Sequence, residues 1–330
     1  MPVESNKKLY IMYILKTLKE YSDENHPLRQ IDIISKINSS YGVTLDRKTI
    51  ARTIDSLLDM GIEIIKLDGG GCYLADRELE PSEITYLIDA IFSSKSISSK
   101  QALRLSQKLS KMLSVYKRKK YNYMYKTEEV NRTNNKQLFF TIDQISEAIE
   151  NNKQISFNYN RYYYDAEQQA KQKDKEYIIN PYFMVNNQGK YYLVCNYDYF
   201  DDIASYRIEQ IQNVKILDTP IKPITQVNGC ENGIDKAKYI NENIYMFNNQ
   251  TINAKIKILK EYSLNYVLEW FGKDINIYKH GDGIFADIKV NEQALIYWCL
   301  QYGESVELVQ PSATRKKLKE IVENMYQIYK

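Results

Sequence analysis

The sequence predicts a multidomain α+β chain, and three observations predict it. Helix-periodic apolar residues at the N-terminus give way to a glycine-tipped pair of short strands, and the middle of the chain changes to period-two strands. From Thr251 the order then reads strand, helix, two strands, helix, strand and closing helix. At 330 residues, 44% apolar and 26% charged, the chain has ordinary globular composition and length for two or three cores.

Ile11, Ile14, Leu15 and Leu18 fall at i, i+3, i+4 and i+7, which predicts a first helix from about Lys8 to Tyr21. A second helix carries Ile31, Ile34 and Ile37 and stops near Gly42; a third, opened by Thr44 and Asp46, buries Ile50, Ile54, Leu57 and Leu58 and closes at Gly61. IEIIKL, the turn Asp68 to Gly71 and CYL then form a hairpin, and three helices followed by a hairpin predict a winged helix-turn-helix over 1–77. With the apolar residues inward, Lys48 and Arg52 point outward, flanked by Thr49 and Ser56, with Arg47 at the helix start and Lys66 on the hairpin. These six are the candidate DNA-contacting residues. Residues 1–77 hold eleven Lys/Arg and eleven Asp/Glu, so net charge does not decide the matter, and a solvated helix face is the alternative for Lys48 and Arg52.

Residues 78–137 read as a basic helical linker. Ile84, Leu87, Ile88 and Ile91 keep helical spacing, as do Leu105, Leu109, Met112, Leu113 and Tyr116, before a polar stretch from Thr127 to Gln137. From Lys95 to Lys136 twelve Lys/Arg face only Glu128 and Glu129, with Lys117, Arg118, Lys119 and Lys120 at the centre; this run either touches DNA phosphates or is a solvated linker.

One short helix over 138–150 leads into strands at Ile155 to Tyr159, Tyr177 to Val185, Tyr191 to Asn196 and Ser205 to Ile211, which predict a small β-barrel over 138–220. Asn186 to Gly189 form a turn, and the polar insert Asp165 to Lys175 reads as an exposed hairpin loop. The last strand places Tyr206 and Ile208 opposite Arg207 and Glu209, so Arg207 stands on a strand.

Three motifs in this segment, Asn180-Pro181-Tyr182, Tyr191-Tyr192-Leu193 and Tyr206-Arg207-Ile208, resemble those of WYL-domain proteins in order and spacing. Tyr191 replaces the family's tryptophan, and Gln210 stands where many members carry a second arginine. The string DRKTIARTIDSLLDMGIEI resembles the recognition helix of the DeoR-like winged helices that precede such domains, with Thr49 and Arg52 matching and Thr53 in place of the usual aspartate. The resemblance implies a bacterial transcription regulator with an Sm/SH3-like barrel. It also implies a nucleic-acid or nucleotide-like effector, anchored by Arg207 and contacted by Tyr159, Tyr182, Tyr192 and Tyr206. For Arg207 the alternative is an internal salt bridge to a barrel carboxylate, and for the tyrosines a place in the core.

Residues 221–250 form a turn-rich linker after Pro220 and Pro223. From Thr251 come a strand, a helix from Ser263 to Trp270, two strands about Asp282-Gly283, a helix from Glu292 to Gln301, a strand from Ser305 to Leu308 and the closing helix. That order predicts a ferredoxin-like domain over 251–330, with Trp270 and Trp298 in its core. Tyr302, Gly303, Val306, Pro311 and Arg315 resemble the C-terminal WCX extension that follows WYL domains.

Cys72, Cys195, Cys230 and Cys299 lack CxxC spacing and read as reduced, buried thiols, so neither metal nor cofactor is expected. His26 and His280 are the only histidines, and no GxxxxGK[ST], GxSxG or HExxH motif occurs; Gly69 to Cys72 lacks the flanks of a phosphate loop. Catalysis is not expected. The absence of a long apolar run and the polar opening Met1 to Lys8 predict a cytoplasmic protein with no membrane partner. Thirty tyrosines beside many Lys, Asn and Ile follow from A/T-rich codons, so only tyrosines in a motif count. The expected function is therefore a ligand-responsive regulator, a homodimer on a double-stranded DNA operator. The alternative is a non-regulatory accessory protein that binds single-stranded nucleic acid.

Overall fold

The computed structural model describes residues 9–121, 133, 135–164, 170–247 and 250–330, with side chains omitted at 120 and 161–174. The expectations for Met1 to Lys8, for most of the polar stretch after Thr127 and for residues 165–169 lie outside these. Two compact units divide between Lys136 and Gln137.

In the first unit, α1 (Tyr10–Tyr21), α2 (Gln30–Tyr41) and α3 (Arg47–Asp59) precede the antiparallel strands β1 (Ile64–Lys66) and β2 (Cys72–Leu74). Gly42, left-handed at φ 66°, ends α2 and donates its N–H to Asn38 O at 2.8 Å. Asp46 caps α3 by accepting from the Thr49 N–H at 2.8 Å. Ile14, Leu18, Ile33, Ile37, Ile50, Ile54, Leu57 and Leu74 form the core, each contributing about 2 kcal/mol by removal from water. In α2 the core side is set by Ile33 and Ile37, while Ile31 is 58% exposed.

The helices α4 (Pro81–Ser93) and α5 (Ser99–Ser110) follow, and α5 buries the small residues Ala102, Ser106 and Ser110. The helical spacing through Tyr116 predicts a longer α5, but the helix ends at Ser110 and a separate turn, α6 (Val115–Arg118), begins at Ser114. The cause is tertiary. Ser114 caps α6 and donates its hydroxyl to Asp23, which also accepts from His26 Nδ1 at 2.7 Å; Tyr116 stacks on His26 with ring centroids 3.7 Å apart. Arg77 joins the same seam, donating to the carbonyls of Lys19, Ser22 and Met112 at 2.7 to 3.1 Å.

The second unit opens with α7 (Leu138–Glu150), then β3 (Lys153–Tyr164), β4 (Ala170–Asn187), β5 (Lys190–Asn196), β6 (Ile203–Arg207) and β7 (Ile211–Pro220). These strands form an antiparallel sheet in the order β6-β5-β4-β3-β7. Its two edges are joined by a single 3-10 turn, Ile208–Gln210. Laid flat, five strands would part their edges by about 19 Å. A link of four Cα steps reaches about 14 Å even fully extended. The sheet is therefore rolled.

Three expectations change here. The strand expected over Ser205 to Ile211 breaks at Ile208–Gln210, because the chain turns there from one edge to the other. The loop expected from Asp165 to Lys175 is shorter, since Ala170 to Lys175 pair with Tyr164 to Tyr159 and extend the hairpin. Strand β7 arises at a segment where the sequence analysis places no strand.

Within the segment expected as linker stands α8 (Lys236–Glu242). Strand β8 (Thr251–Ile258), α9 (Leu264–Phe271), β9 (Asn276–His280), β10 (Gly283–Asn291), α10 (Glu292–Gln301), β11 (Val306–Gln310) and α11 (Ser312–Tyr329) complete the unit. The second antiparallel sheet runs β11-β8-β10-β9. Its inner face, with Ile256, Ala286, Ile288 and Leu308, packs on Val267, Phe271, Leu295 and Trp298 of α9 and α10. Trp298 is fully buried, and Trp270, half-buried, donates its indole N–H to Tyr302 at 3.1 Å.

Candidate functional site

On α3, Ile50, Ile54 and Leu57 are buried while Arg47, Lys48, Arg52 and Ser56 are exposed, as a 3.6-residue period with one apolar stripe requires. Among the described residues Arg47, Lys48 and Arg52 make no ion pair, so their charges face solvent. Thr49, Ser56 and Lys66 are engaged instead. The Thr49 hydroxyl donates to the Asp46 carboxylate at 2.7 Å, and together with the Thr49 N–H holds that carboxyl below its usual range. Ser56 donates to Arg52 O at 3.0 Å, and Lys66 Nζ lies 2.6 Å from Asp55.

The basic run is also partly consumed. Lys117 pairs with Glu24 at 2.7 Å, and Arg118 donates to the carbonyls of Ser110 and Leu113 while facing Glu20 at 3.7 Å. These two cations hold α6 in place. Exposed cations of this region include Lys119 of the run itself and, on or just beyond α5, Lys100, Arg104, Lys108 and Lys111.

In the second unit, the turn Gln188-Gly189 has φ values of 51° and 72°, the paired left-handed geometry of a two-residue hairpin. It joins β4 to β5, and the pairing of β5 with β6 sets Tyr192 beside Arg207. Asn187, Lys190, Tyr192, Ser205 and Arg207 thereby share a cavity of about 340 Å³ with Tyr159 and the segment Ile244–Phe247. Tyr159 reaches across the rolled sheet, and its hydroxyl accepts the Arg207 N–H at 3.4 Å. Burial raises the Tyr192 phenol pKa against the opposing pull of Arg207, so it is a neutral donor at physiological pH.

Arg207 is at once a cavity residue and half of an ion pair. Its Nε donates to Glu209 Oε1 at 2.6 Å and its Nη2 touches the same carboxylate oxygen; the side chains are 36% and 4% exposed. The 3-10 turn brings Glu209 to this place. The salt-bridge alternative is therefore realised without removing Arg207 from the cavity.

Tyr182 and Tyr206 do not join the cavity. Tyr206 alternates with Arg207 and packs among Phe157, Tyr159 and Tyr177, with ring centroids 4.8 to 5.3 Å apart; its hydroxyl meets that of Tyr197. Tyr182 donates to Lys222 O at 3.0 Å and to Asn196 at 3.2 Å, at the edge of a buried amide network centred on Asn180. Asn180 links Gln154, Asn196 and Asp198 at 2.8 to 2.9 Å, so the Asn-Pro-Tyr motif is a structural fastening. Sequence reasoning missed the segment Ile244–Phe247, which Asn187 tethers by donating to the carbonyls of Asn243 and Ile244 at 3.2 and 3.3 Å. Ser205 was within reach, since it stands two residues before Arg207 on one strand face.

The profile of the WYL domain matches residues 141–216, which hold the four cavity residues on β5 and β6. The chain carries a WYL domain. A relative in Bacillus subtilis (strain 168), the uncharacterized HTH-type transcriptional regulator YobV, is 28% identical over 191 residues. That match covers 57% of this chain and 55% of that protein, so the chain spans about half the length of the curated relative. Two solved structures are similar at low identity. The proteasome accessory factor PafBC of Arthrobacter aurescens has TM-score 0.30 and 10% identity, covering 97% of this chain and 48% of that one. A CRISPR Cas-related protein has TM-score 0.38 and 15% identity, covering 100% and 87%. Among the described residues no three His, Cys, Asp or Glu side chains cluster as metal ligands, and no helix is long and apolar enough to cross a membrane. Burial raises the thiol pKa values of all four cysteines, to about 12 for Cys299, so they stay protonated at neutral pH.

Proposed function

We propose that the protein is a non-enzymatic, ligand-responsive transcription regulator of the cytoplasm, binding a double-stranded operator through residues 1–77 and an effector through the WYL domain. In this reading α1 to β2 are a winged helix, the rolled sheet is an Sm/SH3-like barrel, and the β11-β8-β10-β9 sheet with α9 and α10 is a ferredoxin-like WCX domain. The observation that carries the DNA assignment is the unpaired, outward row Lys48 and Arg52 on α3, with Arg47 at its start; Thr49, Ser56 and Lys66 contribute through backbone or shared contacts. A relative named as an HTH-type regulator agrees with it.

For the effector, the supporting observation is a concave site whose guanidinium and lysine offer charge to an anionic group and whose phenols and Phe247 offer π-faces. A nucleotide or short nucleic acid has both features. Tyr159, Tyr192 and Arg207 remain the contact set from the sequence, joined by Lys190 and Asn187.

The test is operator selection from genomic fragments, followed by affinity at fixed salt for Lys48→Ala and Arg52→Ala. Each bidentate base contact is worth about 1 to 3 kcal/mol, so the double variant should lose specific binding while keeping its fold. Unchanged operator affinity in a folded double variant would remove α3 as the reading helix.

A further inference from the structure

The β11-β8-β10-β9 sheet buries one face under α9 and α10, and the register arranges the other in rows across the strands. Lys257, Phe285 and Tyr278 are successive cross-strand neighbours, and Lys255, Asp287 and Asn276 form the adjoining row. The Phe285 and Tyr278 rings lie nearly parallel, 20° between planes and 5.9 Å between centroids, with His280 edge-on to Phe285 and Lys255 Nζ 5.6 Å from the Tyr278 centroid. Gly283 makes this flatness possible. A Cβ there would stand 2.9 Å from the Phe285 ring and 3.2 Å from the Lys257 side chain, so any other residue would push the ring and the lysine from these positions. Beside the rings is a shallow depression of about 320 Å³ lined by Asn253, Lys255, Asp287 and Lys289.

The acidic groups of this face already have partners. Asp287 accepts from Asn276 at 3.0 Å and Tyr278 at 3.4 Å, and Glu307 pairs with Arg315 at 2.7 Å. Lys289 pairs with Glu242 at 3.2 Å, whereas among the described residues Lys257 and Lys255 make no ion pair. Two tiled aromatic rings flanked by Lys257 and by Lys255, which hydrogen-bonds the Tyr278 hydroxyl, on an open antiparallel sheet are complementary to unstacked bases on a phosphate backbone. A duplex, whose bases are sealed in the stack, offers no π-face to them.

We propose that this face binds single-stranded nucleic acid, with bases stacked on Phe285 and Tyr278 and phosphates met by Lys255 and Lys257. The site is separate from the cavity at Arg207 and does not depend on the operator reading. The experiment uses the full chain and a fluorescein-labelled oligothymidylate of about ten nucleotides, read by anisotropy at several salt concentrations. Tyr278→Leu with Phe285→Leu keeps bulk but removes the π-faces and should weaken binding about 5- to 100-fold. Lys255→Gln with Lys257→Gln should flatten the salt dependence. Photocrosslinking of the wild type to an iodouracil oligonucleotide should map to residues 276–289, which keeps the proposal testable even where a variant fails to fold. Crosslinks confined elsewhere, or binding unchanged in both variant pairs, would overturn it. So would loss of self-association in the leucine pair without loss of binding, which would make the face an interface between copies.

Discussion

Arg207 carries two demands on one guanidinium. Its pairing with Glu209 neutralises a carboxylate that is almost wholly buried, and its exposed part lines the cavity beside Tyr192. Removing the cation breaks a pair whose carboxylate is buried, and breaking such a pair costs roughly 3 to 5 kcal/mol. Arg207 is about a third open to solvent, which places the expected loss for Arg207→Ala near the lower end, about 3 kcal/mol. Urea denaturation checks it, and an unchanged midpoint would show that water replaces the pair. Arg207→Lys separates the two roles, because an ammonium keeps the charge beside Glu209 but loses the planar fork that grips an anion. The lysine variant should therefore recover much of the stability while operator affinity no longer responds to a nucleotide or short oligonucleotide. A response equal to wild type in that variant would move the effector site away from Arg207.

At the scale of elements, α6 owes its position to one buried carboxylate. Burial alone would raise the Asp23 pKa, but hydrogen bonds from Ser114 and His26 outweigh it, and the net shift is downward. A depressed folded pKa means that the stabilisation is complete above the unfolded carboxylate value of about 3.9 and is lost as pH falls through the folded value. Ser114→Ala should cost about 1 to 3 kcal/mol at neutral pH, and the gap to wild type should narrow to the share of the α6 cap as the solution is acidified below about pH 4. A gap that stays constant across that range would dissociate the serine from the carboxylate. This contact also explains why α5 is shorter than its periodicity predicts, since Leu113 and Tyr116 keep helical spacing while Ser114 is pulled to a residue 91 positions earlier. Elements fixed by local chemistry were legible: α3 from its Asp46 cap, the β4–β5 turn from Gln188-Gly189, and α10, expected and found over Glu292 to Gln301. Elements fixed by distant partners were not. The 3-10 turn at Ile208–Gln210 and strand β7 exist because a rolled sheet must join its edges, and the cavity wall at Ile244–Phe247 exists because Asn187 holds it. The same division runs through the candidate site, where alternation alone separates Tyr206 from Arg207, but only the fold commits Tyr182 to the Asn180 network.

For the whole molecule, the reading surface proposed on α3 is small, and one such helix contacts too few base edges to single out one site in a genome. A two-fold dimer doubles that surface and requires an operator with two inverted half-sites about one helical turn apart. The prediction for such self-association rests on α11. On α11 only Thr314 is buried, while Val322, Met325 and Tyr329 are exposed at i, i+3 and i+7, an apolar row on one helix face. A row of this kind left in water is unfavourable and is relieved when a second copy presents the same row across a two-fold axis. The expected outcome is a dimer by sedimentation at micromolar concentration, converted to monomer by Val322→Glu with Met325→Glu. The folded monomer should still bind a half-site weakly and lose its preference for the inverted repeat. Two results would count against the arrangement in different ways. Wild type that sediments only as a monomer, free and on DNA, removes the dimer itself, whereas a glutamate variant that remains dimeric keeps the dimer and places its seam on another face.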